Sequence, residues 1–389
     1  MSGPTFESTM FLIFTGGAIL TTLALFARQT MIVAYILLGI LLGPWGFALI
    51  NDAQLVQEIS SIGIIFLLYL LGLDLFPQQL WKMLGEALIA TLVSSLVFWL
   101  IGFLIAYLFG YAVLESVLIG VVLMFSSTII GVKLLPTTIL HHRHTGQIII
   151  SVLLLQDLLA ILALLLLEGY EKGGNLVTEI LWQVVMLPVL IFIAWVLERY
   201  VIVKLIARYD RIHEYIFLLA IAWCLGIAEL AVFLGLSHEI GAFVAGVTLA
   251  SSPIALFIVE RLKPLRDFFL ILFFFALGAT FNLGVATDII VPAMVIAVCV
   301  VTIKPWVFCK LFTWAGEKSD VSREVGFRLG QISEFSMLIA MLALNSHVIG
   351  KDAAYLIQLA TLLSFIVSSY LIVFRYPTPI AVTDKLRRD

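Results

Sequence analysis

Leu153-Leu154-Leu155-Gln156-Asp157-Leu158-Leu159-Ala160-Ile161 lies at the centre of an apolar run of helical length, about Ile148 to Leu167, with one carboxylate near its middle. A run of that length spans a bilayer. Asp157 then sits deep in hydrocarbon, where a charge costs at least ~2.5–3.5 kcal/mol. An acid so placed faces the bundle interior or a water-filled cavity and marks a functional site. The alternative is a structural Asp that hydrogen-bonds a neighbouring helix.

The chain around this run has the same character. Of 389 residues, 62% are hydrophobic and 12% charged, where a soluble domain carries about a quarter charged residues. The mean hydropathy is +1.16. These values describe a polytopic membrane protein. Cys224, Cys299 and Cys309 sit in apolar runs without C-x-x-C spacing, so neither a disulfide framework nor a metal site is expected. Met1 to Glu7 lacks a basic stretch and a small-residue cleavage site, so the first apolar run reads as a retained span.

Apolar runs divided by short polar or Pro/Gly breaks predict about thirteen transmembrane helices, at 8–26, 31–43, 55–73, 84–109, 113–133, 148–168, 177–198, 214–235, 238–252, 266–281, 287–312, 324–345 and 353–375. The second and ninth are short, which predicts interrupted or strongly tilted segments. Nineteen of the 22 Lys and Arg fall on one side of this arrangement, and only Lys172 and Lys351 on the other. That bias places the C-terminus in the cytoplasm and the N-terminus outside. Lys304 belongs to neither surface, because it lies inside the eleventh run.

The chain also echoes itself. Leu70-Leu71-Gly72-Leu73-Asp74 ends the third run, and Ala276-Leu277-Gly278-Ala279-Thr280 ends the tenth. Gly39 and Gly43 of the second run correspond to Gly241 and Gly246 of the ninth. Each pair is seven spans apart, so the copies have opposite orientation, as in inverted-repeat transporters. Repeat one covers about 8–168, a linker span 177–198, and repeat two 214–375. The same offset pairs the fifth span with the twelfth, and both carry polar interruptions: Phe125-Ser126-Ser127-Thr128 and Gly330-Gln331-Ile332-Ser333-Glu334. Broken helices at matching places in two repeats point to a substrate site. The alternative is a continuous helix whose Ser and Thr bond back to the preceding turn.

The polar inventory at membrane depth is Ser126, Ser127, Thr128, Gln156, Asp157, Lys304, Gln331, Ser333 and Glu334. One carboxylate with hydroxyl and amide oxygens suits a hard monovalent cation rather than a stable divalent site. The same carboxylate can take a proton, since desolvation raises its affinity for one. Cation and proton then compete, and competition becomes exchange if only the loaded states cross. Lys304 is expected to pair with Asp157, to balance Glu334, or to snorkel to the inner surface. Pro305 after it predicts a kink. Enzyme readings fail, because His238-Glu239 lacks the second His of H-E-x-x-H. His141-His142-Arg143-His144 is a loop cluster, read as a solvated basic loop with a pH sensor as the alternative. Nothing in the charge pattern suits nucleic acid.

Along nearly its whole length the sequence resembles the membrane domain of Kef-type potassium–proton antiporters, within the monovalent cation:proton antiporter superfamily. The matching stretches are Gly39-Ile40-Leu41-Leu42-Gly43-Pro44-Trp45-Gly46, Leu71-Gly72-Leu73-Asp74 with Pro77-Gln78-Gln79-Leu80-Trp81-Lys82, Ser126-Ser127-Thr128, Gln156-Asp157, Gly241-Ala242-Phe243-Val244-Ala245-Gly246, Leu272-Phe273-Phe274-Phe275, Ile303-Lys304 and Gly330-Gln331-Ile332-Ser333-Glu334-Phe335. The resemblance implies an all-α fold with crossed broken helices at the fifth and twelfth spans. It implies a homodimer in membrane lipid, with a mobile core sliding against a dimerisation domain. Asp157 is the implied site for K+ or Na+ and H+, with Gln156, Ser127 and Thr128 beside it and Lys304, Glu334, Gln331 and Ser126 in support. Electrogenic relatives carry two acids where this chain has Gln156-Asp157, so the resemblance implies potassium handling and one proton per cation. Two features depart from the family. The tail 377–389 is short and polar, so no soluble regulatory domain is expected in this chain, and nucleotide gating would need a separate cytoplasmic subunit. Glu260-Arg261-Leu262-Lys263-Pro264-Leu265-Arg266 is basic where regulated members are acidic. The expectation is therefore a cation/proton antiporter of the bacterial inner membrane without organic cofactors, with a cation channel or uniporter on the same scaffold as the alternative.

Overall fold

The computed structural model describes residues 6–50, 52–74, 77–133, 144–171, 176–209, 212–250, 252 and 255–378. The cluster His141-His142-Arg143 and the tail from 379 lie outside these residues. The helices are α1 (Phe6–Phe26), α2 (Met31–Leu42), α3 (Ala53–Asp74), α4 (Pro77–Leu108), α5 (Val113–Met124), α6 (Thr128–Lys133), α7 (His144–Glu171), α8 (Leu176–Leu197), a π-turn (Glu198–Ile202), α9 (Val203–Arg208), α10 (His213–Phe233), α11 (His238–Ala250), α12 (Ala255–Ala279), α13 (Ala286–Trp314), α14 (Ser319–Arg328), α15 (Glu334–Asn345) and α16 (Lys351–Arg375). Grouped by their breaks, they occupy the thirteen expected passes. The fifth pass is α5 with α6, the seventh α8 to α9, and the twelfth α14 with α15.

Two passes start earlier than hydropathy indicates. α4 begins at Pro77, ahead of the expected start at 84. Proline fits the first turn of a helix, whose N–H groups have no internal partner. α12 begins at Ala255 and runs through Pro264, so the basic stretch 260–266 is helix rather than loop. α2 and α11 have 12 and 13 residues. At 1.5 Å per residue they rise about 18–20 Å, short of the hydrocarbon thickness.

Two compact units divide the chain. One holds α1, α2, α4 from Met83, α5, α6, α7 as far as Leu164, and the described residues from Gly278 onward. The other holds α3, the end of α7 from Leu165, α8 to α11, and α12 as far as Leu277. Each draws on both repeats.

In the second unit α3 crosses α11 with no room for a side chain. A Cβ on Gly246 would fall 2.1 Å from the Tyr69 carbonyl oxygen, and one on Gly72 would fall 2.4 Å from that of Phe243. In the first unit α2 meets the end of α12 in the same way, with a Cβ on Gly278 falling 2.1 Å from the Ile36 carbonyl oxygen. The echo in the sequence is therefore a repeated helix crossing: Gly72 matches Gly278, and Gly39 matches Gly246. The first unit contains two further crossings of one kind. Gly120 of α5 abuts the Trp99 carbonyl of α4, and Gly326 of α14 abuts the Pro305 carbonyl of α13. All these pairs stand 206 or 207 residues apart. α13 also packs on α16, and α15 packs on α5 and α16. Phe98, Ile149, Val152, Leu153, Phe308 and Leu329 form one buried cluster of this unit.

Candidate functional site

All the expected site residues belong to the first unit. The fifth pass unwinds after Met124, where Phe125 is extended (φ −85°, ψ 147°), and resumes at Thr128. The twelfth unwinds after Arg328 and resumes at Glu334. The new starts are 206 residues apart, and each has a serine cap. Ser127 Oγ accepts from Ile130 N at 3.2 Å, and Ser333 Oγ accepts from Phe335 N at 3.1 Å. Serine favours this position because its hydroxyl satisfies an N–H that the helix leaves open.

A break at membrane depth leaves backbone groups that water cannot reach, so side chains must replace the lost bonds. Gln156 does this for the fifth pass. Its Oε1 accepts from Ser126 N at 2.9 Å, and its Nε2 donates to the Met124 carbonyl at 3.0 Å. Ser364 of α16 does the corresponding work for the twelfth, accepting from Ile332 N at 3.2 Å. Ser126 matches Ile332, and Gln156 matches Ser364, at offsets of 206 and 208. Expected beside an ion, Gln156 has both amide atoms engaged with the backbone of the break.

The two breaks are tied together directly. Ser126 Oγ donates to the Leu329 carbonyl at 2.9 Å, and Ser336 Oγ to that of Val122 at 2.6 Å. Gln331 Nε2 donates to the carbonyls of Arg328 (2.9 Å) and Ser127 (3.3 Å), while its Oε1 accepts from Ser368 Oγ at 2.9 Å. Lys304 closes the crossover. Its Nζ donates to the Phe125 carbonyl at 2.7 Å, the Gln331 carbonyl at 3.1 Å and Ser126 Oγ at 3.4 Å. It lies 5.1 Å from the centroid of the Phe98 ring. Phe98 is its counterpart in the first repeat, again 206 residues away. Pro305 seats against Gly326 and Gly330, which brings Lys304 up to the second break.

Lys304 is 1% exposed, so it does not snorkel. It is also bonded to neither Asp157 nor Glu334. An ammonium suits its three acceptors, because the ends of α5 and α14 turn the negative ends of their dipoles into the crossover. The starts of α6 and α15 turn the positive ends in. Glu334, buried in the first turn of α15, opposes one of them. Asp157, 2% exposed, follows Gln156 on α7. Thr128 Oγ1 is buried at the start of α6 and makes no hydrogen bond to a described residue.

Sequence reading missed Ser364, Ser368 and Ser336. The repeat offset of 206 sets Leu362, not Ser364, opposite Gln156, so the offset alone does not find it. Sequence reading also counted Arg328 among the inner surface charges, whereas the side chain is 0% exposed. Arg328 bonds Glu324 one turn earlier at 2.9 Å and the Pro377 carbonyl at 2.9 Å, so its charge is balanced inside the protein. His144 at the start of α7 lies 2.7 Å from Glu317, just after the end of α13.

Residues 10–374 match the family model described as sodium/hydrogen exchanger, transmembrane. K(+) efflux antiporter 5 of Arabidopsis thaliana is 30% identical over 351 residues, covering 86% of this chain and 60% of that protein. This chain therefore spans about 60% of the length of that plant relative. The iron transporter MagA of Paramagnetospirillum magneticum is 25% identical over 88% of this chain and 79% of its own length. The sodium proton antiporter MjNhaP1 of Methanocaldococcus jannaschii shares the fold, with a TM-score of 0.71 at 16% identity over 94% of this chain and 95% of that one. Among the described residues six helices are long and apolar enough to cross a membrane, and the short ones flank the crossover and the glycine contacts. The chain is an integral membrane protein and belongs to the sodium/hydrogen exchanger transmembrane family.

Proposed function

We propose that this protein is a secondary antiporter that exchanges a monovalent cation, K+ before Na+, for H+ at Asp157. The observation that carries the reading is the division of labour at the crossover. Lys304, Gln156, Ser126 and Gln331 are committed to holding broken backbone. Asp157 is a buried acid on the helix that carries Gln156, and Thr128 offers an oxygen that bonds no described residue. In this reading Asp157, next to Gln156 on α7, supplies one negative charge, and Thr128 and Ser127 at the start of α6 supply neutral oxygens. Among the described residues no group of three or more His, Cys, Asp or Glu comes together, which favours a monovalent over a divalent ion.

The mechanism follows from charge. An ionised, empty Asp157 at membrane depth is costly. Binding either a cation or a proton removes that cost, so each loaded state can be carried between the two faces while the empty state is held back. The relatives named as K(+) efflux antiporters support potassium as the cation. A homodimer in a lipid membrane, N-terminus outside and C-terminus cytoplasmic, with a mobile core sliding against a dimerisation domain and repeats at about 8–168 and 214–375, completes the reading.

Proteoliposomes with an internal pH dye test it. An imposed potassium gradient should move protons with the membrane potential clamped near zero. Asp157→Asn, which keeps the shape and loses the charge, should abolish that flux, and persistence of the flux would remove Asp157 from the mechanism.

A further inference from the structure

The seventh pass carries a feature that exchange does not use. Leu190, Ala194, Glu198, Ile202 and Ile206 are all buried, at a strict spacing of four. In an unbroken α-helix every fourth residue advances about 40°, so this line would wander about 160° off the core. The π-turn prevents that. Val203 N bonds the Glu198 carbonyl five residues back, which adds a residue to one turn and brings Ile202 and Ile206 back to the core of the second unit.

The same turn aligns the opposite edge. Trp195, Arg199, Lys204 and Arg208 follow at spacings of four, five and four, and all are exposed. In a plain α-helix Lys204 would stand about 140° around from Arg199. Here i→i+5 bonding stacks residues five apart, so the three cations share one side. Each lies over an aromatic ring: Arg199 over Trp195 at 5.5 Å, Lys204 over Tyr200 at 5.5 Å and Arg208 over Tyr209 at 5.8 Å. Among the described residues none of the three forms an ion pair with a carboxylate, although the buried Glu198 next to Arg199 feels its charge. Phe192 and Val201 beside them are exposed large apolar side chains.

We propose that this edge binds the phosphodiester headgroup of an anionic phospholipid. Two guanidinium forks and an ammonium present donors matched to phosphate oxygens. The rings are of the kind that settle at the membrane–water boundary, and Phe192, Trp195 and Val201 offer a track for the acyl chains. That apolar track selects a lipid over a free phosphate. The site stands on geometry separate from Asp157 and does not depend on transport.

The test uses the full chain in a neutral detergent, with lipid retention read by native mass spectrometry and by the thermal unfolding midpoint. Phosphatidylglycerol should be retained and should raise the midpoint, while phosphatidylcholine and inorganic phosphate should not. Arg199→Gln with Lys204→Gln and Arg208→Gln should weaken phosphatidylglycerol binding about a hundredfold, each single change about fivefold, because one basic side chain near an anionic surface contributes about that factor. Lys310→Gln with Lys318→Gln and Arg323→Gln removes as many exposed charges elsewhere and should leave binding intact. If the triple variant does not fold, the single changes decide. Equal binding by the edge variants and wild type, equal loss in the control, or a shift produced by inorganic phosphate alone would overturn the proposal. Retained lipid with a changed oligomeric state would assign the edge to a second copy of the chain.

Discussion

At the scale of single residues, Gln156 decides whether the fifth pass can stay open. Gln156→Leu leaves Ser126 N and the Met124 carbonyl buried without partners, at ~1–3 kcal/mol each. The thermal midpoint of the purified protein should drop by several degrees. Ser364→Ala orphans one group, Ile332 N, and should cost about half as much. Gln156→Glu keeps an acceptor for Ser126 N but sets a carboxylate oxygen against the Met124 carbonyl, so it should fall between wild type and the leucine variant. An unchanged midpoint for Gln156→Leu would mean that another group holds the break. The identities of these residues were legible in the sequence, because each is a polar side chain inside an apolar run. Their bonds were not. A glutamine beside an acid reads equally well as ligand or splint until the open N–H and carbonyl facing it are located. Arg328 was misread for a related reason: its counter-acceptor, the Pro377 carbonyl, lies 49 residues away and carries no sequence signal.

At the scale of elements, the crossings are set by glycine. Gly246→Ala or Gly278→Ala would drive a methyl group to about 2.1 Å from a carbonyl oxygen of the crossing helix. Neither backbone can yield without separating the pair, so each should lower stability by ~1–3 kcal/mol. Gly226→Ala is the contrast. That glycine lies within α10 and a Cβ there meets nothing within 4 Å, so alanine should stabilise the helix by ~0.5–1 kcal/mol. Thermal melts of the three variants check both signs, and a stabilised Gly246→Ala would refute the close-crossing argument. The glycine pairs were visible as an echo between the second and ninth, and third and tenth, runs. Which run each pair faces was not, since a small residue records that something comes close but not what. The structure pairs the second with the tenth and the ninth with the third. The early starts of α4 and α12 were hidden because α4 opens on a polar turn and α12 carries the basic stretch 260–266 after its first turn, and hydropathy cannot tell such stretches from loops.

At the scale of the whole molecule, the two repeats share a scaffold and differ in chemistry. Where the first has Gln156 followed by Asp157, the second has Ser364 followed by Phe365, which is buried. On the proposed exchange at Asp157 alone, with Lys304 keeping its charge, each cycle is electroneutral, one cation for one proton. Turnover in proteoliposomes should therefore be indifferent to an imposed membrane potential. A rate that rises or falls with voltage would mean that a second charge moves. The topology and the pairing of the broken passes could be read from hydropathy and offset alone. The contrast between the repeats could not, because it rests on matching Gln156 to Ser364, which only their shared backbone partners reveal.

Lys304 also bears on how the polypeptide is made. Of its two carbonyl acceptors, Phe125 is synthesised long before it and Gln331 27 residues after it. When α13 emerges from the ribosome, its ammonium enters hydrocarbon with a partner from the first half only. Unmatched, it would resist integration by ~2.5–3.5 kcal/mol. The first half must then be in place before α13 can settle, which orders assembly from one repeat to the next. In nascent chains ending at Glu317, deleting residues 113–133 should impair integration of α13, measured with a glycosylation reporter. Lys304→Leu should restore it. Integration indifferent to both changes would show that the order of synthesis imposes no such dependence.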